Sequence, residues 1–280
     1  MFKRNYYYLV AGLPDIVLDQ KKLSHTITEF RNELENHLHP DDYALVMLLF
    51  LPFDNTNLLN LLLKTKKPFL EKGNYSLQKL EEEIKEPSDL PEYMQLFINA
   101  FKSGNPIFPG YSWENQLTWL YYDSVLQVNN TFLKEWFKFN LHVNNILSAL
   151  NVRKYNLSKE NVYLGSDYVS EALRKSSLKD FGLGNDFQFM EKLLSIDENS
   201  NSMEKEKAVD MLRWEFLNEL NTFNYFTIEV LIAYVIKLFM VERWLQLDPE
   251  TGRLMFKQII SELEKSYEFP KEFKLNEGRK

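Results

Sequence analysis

Residues 54–62 read Asp-Asn-Thr-Asn-Leu-Leu-Asn-Leu-Leu, and the interpretation of the whole chain starts from this segment. Its leucines are spaced by three and four residues, which places them on one face of a helix. Asp54 stands where a carboxylate caps the backbone N–H groups of the helix that follows. Pro52 disfavours helical backbone at Leu51, so a turn or kink is expected there. Three lysines complement the expected helix C-terminus: Lys64, Lys66 and Lys67.

The same pattern returns later in the chain. A shift of 88 residues, from Asn57 to Asn145, lays Asn-Leu-Leu-Asn-Leu-Leu over Asn-Ile-Leu-Ser-Ala-Leu. The apolar positions of the preceding helix coincide as well. In the second copy His142 replaces Asp54 and no proline intervenes, so a straight helix is expected. Two interpretations follow: duplication of a helix–turn–helix unit, or chance alignment of two amphipathic helix pairs.

Composition favours helices and excludes several classes of function. The 280 residues include only 9 Gly and 10 Pro, too few for the frequent turns of a sandwich or barrel. The 21 Phe, 15 Tyr and 5 Trp indicate a packed core. With no cysteine, disulfide frameworks, thiolate nucleophiles and cysteine-ligated metals are excluded. A net charge of −7 argues against a general binder of nucleic-acid phosphates.

Local signals divide the chain into short helices. Helix starts are predicted at Pro40-Asp41-Asp42, Ser158-Lys159-Glu160 and Ser166-Asp167. Breaks are predicted at 73–74, 87–91 and 103–112, and a flexible loop near 195–206 because residues 195–202 are polar. The only strand candidates are 6–10 and 161–164, and either could be a first helical turn.

No membrane-spanning helix is predicted. Residues 43–63 are apolar but carry Pro52, Asp54 and three asparagines, so a buried helix pair is the better interpretation. Residues 228–241 are too few for the roughly 20 needed to cross a bilayer. Residues 1–13 imitate a signal peptide, but their apolar run is short and meets Pro14 and Asp15. We therefore expect the mature N-terminus of a cytoplasmic protein.

Three segments, 54–66, 142–154 and 226–244, carry a family resemblance. Together they resemble the C subunits of V-type and archaeal-type ATPases, whose eukaryotic relatives are the d subunits. In that family a short repeated segment begins with an acidic residue. Two variable positions and Asn-Leu follow, and the segment then continues to a basic residue. The third segment resembles the family's late helix ending in Glu-Ile-Arg-Asn, with Trp244 in place of Asn. The opening, 6–14, is closer to an uncharacterised bacterial family encoded in V-type ATPase gene clusters.

The resemblance implies a mainly α fold like the three-lobed funnel of the C subunits. It implies one all-helical domain, 1–280, of about three pseudo-repeats, approximately 1–90, 91–180 and 181–280. It further implies a non-catalytic connector without cofactor, whose partners are the central stalk and the membrane rotor ring of a bacterial V-type ATPase. Such a protein is cytoplasmic and peripherally associated with the inner membrane through the complex, with no nucleic-acid partner and no direct membrane span.

No residue is marked for catalysis, cofactor binding or metal binding. Gly182-Leu183-Gly184 lacks a preceding strand and a third glycine, and His37 and His39 fall on different helix faces. The candidate structural or partner-contact residues are Asp54, Asn57, Asn145, Arg153, Glu242 and Arg243.

Alternatives remain open for several of these residues. Glu242 and Arg243 either line the funnel or form the solvent end of a buried helix. An aromatic cluster is either core or a docking surface: Trp113, Trp119, Tyr121, Tyr122, Trp136 and Phe137. For the whole protein, one rival function is a cytosolic helical enzyme with carboxylates in an aromatic-lined cleft, acting on a small molecule. Another is a generic helical interaction scaffold.

Overall fold

The computed structural model describes residues 4–247, and all regular structure in that range is α-helical. The predicted mainly α fold is confirmed. The helices are α1 Tyr7–Ala11, α2 Ile27–His37, α3 Pro40–Met47, α4 Leu51–Leu62, α5 Leu77–Lys85, α6 Glu92–Ser103, α7 Trp113–Val125, α8 Thr131–Lys154, α9 Tyr168–Lys175, α10 Met190–Glu198, α11 Ser202–Leu220 and α12 Ile228–Leu247.

Several predicted helix signals are confirmed, and others are wrong. His39 caps α3, which begins at Pro40, and the Asp167 side chain caps α9. The strand candidate 6–10 is mostly helix α1, and 161–164 is irregular. Residues 158–160 open no helix.

Proline explains a difference between two otherwise similar helical segments. The axes of α3 and α4 bend by 53° at residues 48–50. Pro52 then occupies the first turn of α4, where its missing N–H costs nothing. The corresponding segment of the second copy has no proline and forms one continuous helix of 24 residues, α8. The bend therefore lies at residues 48–50, just before the position predicted for it, since Leu51 is itself the first residue of α4. The predicted straight helix is confirmed.

Two four-helix units share four helix–helix contacts, and in the second unit α10 also packs against α8. In the first unit, α4 packs against α5 and α7, α6 packs against α7, and α7 packs against α8. In the second unit, α8 packs against α9 and α11, α10 packs against α11, and α11 packs against α12. These units begin at Leu51 and Thr131. The three pseudo-repeats of approximately 1–90, 91–180 and 181–280 stay a prediction. The predicted third pseudo-repeat lies partly outside the described residues.

Helix α12 forms the apolar centre onto which the first helices pack. It contacts α1, α2, α3 and α11. Its core positions Leu231, Ile232, Val235 and Leu238 are fully buried. Among residues 4–247, no single helix is long and apolar enough to span a membrane. The bent pair α3–α4 together meets the length and composition criteria.

The loop predicted near 195–206 is wrong, since only residues 199–201 lie outside helices. Helix α10 runs to Glu198, and α11 starts at Ser202. The reason is local capping: the Asn201 side chain accepts hydrogen bonds from the backbone N–H of Met203 and Glu204, at 3.0 and 3.3 Å. Lys205 also pairs with Asp197 across the break. The polar residues of this segment therefore stabilise the ends of α10 and α11, and they do not form a flexible linker.

Candidate functional site

Asn57 holds the loop that follows α4, and we call this arrangement the first asparagine clamp. The side chain is buried, with Nδ2 donating to the Leu70 carbonyl at 2.9 Å. Its Oδ1 accepts from the Leu70 backbone N–H at 2.8 Å. Both main-chain groups of one loop residue are therefore satisfied by one amide. The loop 63–76 is fixed to α4 at its middle.

Asn145 does the same for the loop that follows α8, in the second asparagine clamp. Its Nδ2 donates to the Leu164 carbonyl at 2.7 Å, and its Oδ1 accepts from the Leu164 N–H at 3.0 Å. The amide also donates to the Ser170 hydroxyl at 3.2 Å. The two asparagines that the 88-residue shift aligns thus make the same paired contact with the main chain.

Asp54 is fully buried and reinforces the first clamp. Its carboxylate accepts from the backbone N–H groups of Asn74 at 2.8 Å and Tyr75 at 3.1 Å. The predicted cap of its own helix is wrong, because α4 begins at Leu51 and Asp54 already lies inside the helix. The chain passes so close that a Cβ on Gly73 would collide with this carboxylate. Asp54 therefore anchors the segment that leads into α5.

His142 replaces Asp54 in the second unit, and the carboxylate comes from the loop side instead. The imidazole Nε2 pairs with Asp167, which also accepts from the Ser170 N–H at 2.9 Å as the cap of α9. Burial alone would raise the pKa of the Asp167 carboxyl, but the contacts with His142 and Ser170 outweigh it and lower the pKa to about 2. The acid missing from the second motif is thus supplied 25 residues later.

Two arginines, which sequence reasoning missed, complete the clamps. Arg31 on α2 donates from Nη1 to the carbonyls of Lys72 and Gly73, at 3.1 and 3.0 Å. Arg174 on α9 donates from Nη2 to the carbonyls of Tyr163 and Gly165, at 2.7 and 2.8 Å. In each loop, therefore, one guanidinium donates hydrogen bonds to main-chain carbonyls, in addition to the contacts of one asparagine amide. The arginines lie in unrelated sequence contexts, so no repeated motif marks them.

The pH dependence of stability should report on the first clamp. Burial raises the pKa of Asp54 from 3.8 to about 6, against the opposing effects of the Asn74 and Tyr75 N–H groups and Arg31. Because the native state holds the proton more tightly than the unfolded chain, stability is lost as pH rises between about 4 and 6. Relative to an Asp54→Asn variant, the wild type should lose on the order of 2 kcal/mol across this window.

Urea unfolding at pH values from about 4 to 7 measures this difference. The control is Asp89→Asn, since the Asp89 side chain is 71% exposed, and this variant should keep the wild-type profile. Parallel profiles for the wild type and Asp54→Asn would contradict the assignment of the proton to Asp54.

Arg153 and Glu242 both tie distant segments together. Arg153 donates to the carbonyls of Lys179 and Leu178, at 2.9 and 2.8 Å, and its guanidinium lies 4.0 Å from the ring centre of Phe181. Glu242 accepts from the backbone N–H of Ile27 at 2.7 Å and pairs with Lys72. Glu242 thus joins α12 to the start of α2 and to the loop of the first clamp.

Arg243 takes part in a buried cluster around Asp210, another residue that sequence reasoning missed. The Asp210 side chain is 1% exposed. It pairs with Arg243, with Arg213 at 3.0 Å, and with the indole N–H of Trp244 at 2.8 Å. Trp244, where the C-subunit pattern has Asn, therefore donates to a buried carboxylate. We call these four residues the Asp210 cluster.

An open cavity of about 510 Å³ lies between the starts of α3, α8 and α12. Four carboxylates and one arginine are among its lining residues: Asp41, Asp42, Glu135, Glu229 and Arg4. We call it the acidic cavity. Of its described lining residues only Phe132 is aromatic. Within residues 4–247, no group of three or more His, Asp or Glu side chains could hold a metal ion.

The aromatic cluster identified in the sequence belongs mostly to the core. Four of its members are buried: Tyr121, Tyr122, Trp136 and Phe137. Trp113 and Trp119 are half-buried, and Trp119 stacks on Phe108 with ring centres 4.1 Å apart. Four of the six rings therefore belong to the packed interior, and the two tryptophans lie at its edge.

Comparison with known proteins identifies one family. Residues 3–267 match the model of a family described as a protein of unknown function, DUF2764. No curated protein matches the chain, and no solved structure matches it.

Proposed function

We propose that this chain, which belongs to the DUF2764 family of proteins of unknown function, is a non-catalytic connector subunit of a bacterial V-type ATPase. In this role it couples the central rotor stalk to the membrane ion-translocating ring. Residues 54–66, 142–154 and 226–244 carry the resemblance to the C-subunit pattern from which this role follows. Among the structural features, the pair of asparagine clamps supports it best.

The clamps give a physical reason for the spacing in that pattern. Asp54 and Asn57 are three residues apart and therefore lie on the same side of α4. Both bond main-chain groups of the loop 63–76. Asn145 repeats the asparagine contact on α8. The motif thus fixes loops to helices, which suits a part that works by keeping its shape.

A connector that transmits rotation must resist deformation between its contact surfaces. Several long-range ties serve this purpose in the proposed role. Glu242 links α12 to the start of α2, 215 positions earlier in the chain. Arg213 links Asp210 on α11 to Asn144 on α8, with Nη2 donating to Oδ1 at 2.8 Å. Torque applied to one helix is then carried by its neighbours rather than absorbed in loops.

Co-purification from native membranes tests the proposal. A tagged chain extracted in mild detergent should carry central-stalk and rotor-ring subunits of a V-type ATPase in a fixed ratio, because a connector contacts both. Deletion of the gene should abolish ATP-driven ion transport in membrane vesicles. An untagged strain is the control for non-specific recovery.

The absence of every ATPase subunit beside the purified chain would overturn the proposal. Recovery of a different, defined complex would instead favour the scaffold alternative. Unchanged ion transport in the deletion strain would also count against a coupling role.

A further inference from the structure

Five exposed aromatic side chains lie on two segments that meet where the Tyr6 backbone N–H donates to the Phe226 carbonyl. They come from α1 and from the loop that joins α11 to α12, and we call them the aromatic rim: Tyr7, Tyr8, Phe223, Tyr225 and Phe226. Phe223 is 87% exposed and Tyr225 is 67% exposed. Aromatic side chains bury large apolar areas when they find a partner, so a cluster left in water marks an interaction surface.

The rim is held in place by defined contacts. The Tyr6 backbone N–H donates to the Phe226 carbonyl at 2.6 Å, and the rings of Tyr7 and Phe226 lie 4.7 Å apart. Within the loop, the Asn224 N–H donates to the Asn221 carbonyl at 3.0 Å. Because the backbone of these segments already has defined contacts, ordering the backbone adds little to the entropic cost of binding.

The acidic cavity adjoins the rim through the same loop. Asn224 and Thr227 line the cavity, and the rim residues Phe223, Tyr225 and Phe226 are interleaved with them in sequence. Arg4, the one cation among the described lining residues, is paired with Asp41 at 3.2 Å and with Asp42 at 3.3 Å. The cavity therefore keeps an excess of negative charge beside an apolar rim.

We propose that the aromatic rim and the acidic cavity form one docking surface for a basic, amphipathic segment of a partner protein. A lysine or arginine side chain of the segment enters the cavity, and its apolar side chains cover the rim. Charge complementarity of this kind steers association and fixes register. Aromatic rings at the edge add cation–π attraction for the entering group. The surface has this chemistry whether or not the chain is a connector of an ATPase.

Charge also decides against other occupants. An anionic bilayer or a nucleic acid would bring negative groups against Asp41 and Glu135. A second copy of the chain in a two-fold contact centred on the cavity would bring the two sets of carboxylates together. A basic protein segment satisfies the rim and the cavity together.

Because the chain has no cysteine, a cross-linker can be attached at one introduced thiol to test this proposal. A Tyr225→Cys full-length chain carries one thiol, to which a benzophenone maleimide is attached. The labelled chain is irradiated in extract of its native cells, and the adduct is sequenced by mass spectrometry. We expect one dominant adduct peptide with net positive charge and several apolar residues. Its yield should fall by about tenfold or more when Asp41→Asn and Glu135→Gln are added.

The matched control is Tyr155→Cys, because Tyr155 is 64% exposed and lies at the end of α8, outside the rim. It should not give the same adduct. Thermal melting confirms that the Asp41→Asn, Glu135→Gln chain is folded. An acidic or neutral adduct peptide, an adduct indifferent to the two neutralised acids, or no adduct would overturn the proposal. A lipid adduct or an adduct with a second copy would overturn it as well.

A second measurement uses a defined probe. An environment-sensitive dye on Tyr225→Cys is titrated with a synthetic copy of the cross-linked peptide and, separately, with phosphatidylcholine vesicles. The emission should shift with the peptide and not with the vesicles, and the peptide affinity should weaken as salt is raised. A shift with vesicles alone would overturn the proposal and assign the surface to lipid.

Discussion

Replacing Asn57 or Asn145 with alanine is expected to lower the free energy of unfolding by about 3 kcal/mol in each case. Each substitution removes both hydrogen bonds to the main chain of Leu70 or Leu164. Asn145→Ala also removes the bond to the Ser170 hydroxyl, which itself continues to donate to the Leu164 carbonyl. The cost of an unsatisfied buried donor or acceptor is larger than the net gain of the bond itself, which is why the effect should be large.

Urea unfolding measures the effect, with exposed helical asparagines as controls. Asn99→Ala on α6 and Asn151→Ala on α8 should change stability by less than about 0.5 kcal/mol, since neither side chain is buried. Trypsin supplies a local measurement. The Asn57→Ala chain should be cleaved faster within 63–76, at Lys64, Lys66 or Lys72.

Equal effects of Asn57→Ala and Asn99→Ala would contradict the clamp, because they would mean that water replaces the amide without cost. Faster cleavage throughout the chain would indicate general destabilisation rather than release of one loop. The Asn145→Ala chain should instead expose the loop 155–167, at Lys159.

Substituting Asp210 with asparagine is expected to lower the free energy of unfolding by about 2 to 3 kcal/mol. The variant keeps the shape of the side chain but removes the charge that Arg213, Arg243 and Trp244 share. The Arg243 side chain is 45% exposed and can turn toward water, whereas that of Arg213 is 18% exposed. Most of the loss should therefore come from Arg213 and from the indole N–H.

Glu215→Gln is the matched control for Asp210→Asn. Glu215 lies on the same helix, α11, and pairs with Lys192 at 2.9 Å, but its side chain is 52% exposed. An exposed ion pair contributes at most about 1 kcal/mol, so this variant should unfold almost as the wild type does. If the two variants lost the same stability, the Asp210 cluster would have no special structural role.

The helical class and the bend before α4 could be predicted because both depend on local chemistry. Spacing of apolar residues determines which helix face is buried, and Pro52 is favoured in the first turn of a new helix. The 88-residue shift also aligned Asn57 with Asn145 correctly as equivalent positions. The partners of these asparagines were not predictable, because main-chain groups carry no sequence signature.

Loop length hid the second half of the repeat. Asn57 bonds a residue 13 positions later, whereas Asn145 bonds one 19 positions later, so a fixed shift loses the alignment after the first helix. The exchange of Asp54 for His142 hid it further, because the compensating acid, Asp167, lies beyond the longer loop. The burial of Asp210 was not predictable, because a single aspartate within a polar helix is usually exposed to solvent.

The asparagine clamps bind main-chain atoms and are indifferent to the side chain of the residue they hold. Selection can therefore change the sequence and length of these two loops without loosening their attachment, as the unequal spans of 13 and 19 residues already illustrate. The same property makes 63–69 and 157–160 suitable places to graft a peptide epitope or a reporter. The fold thus contains two sites for insertion, and the asparagine side chains that hold them do not depend on the inserted sequence.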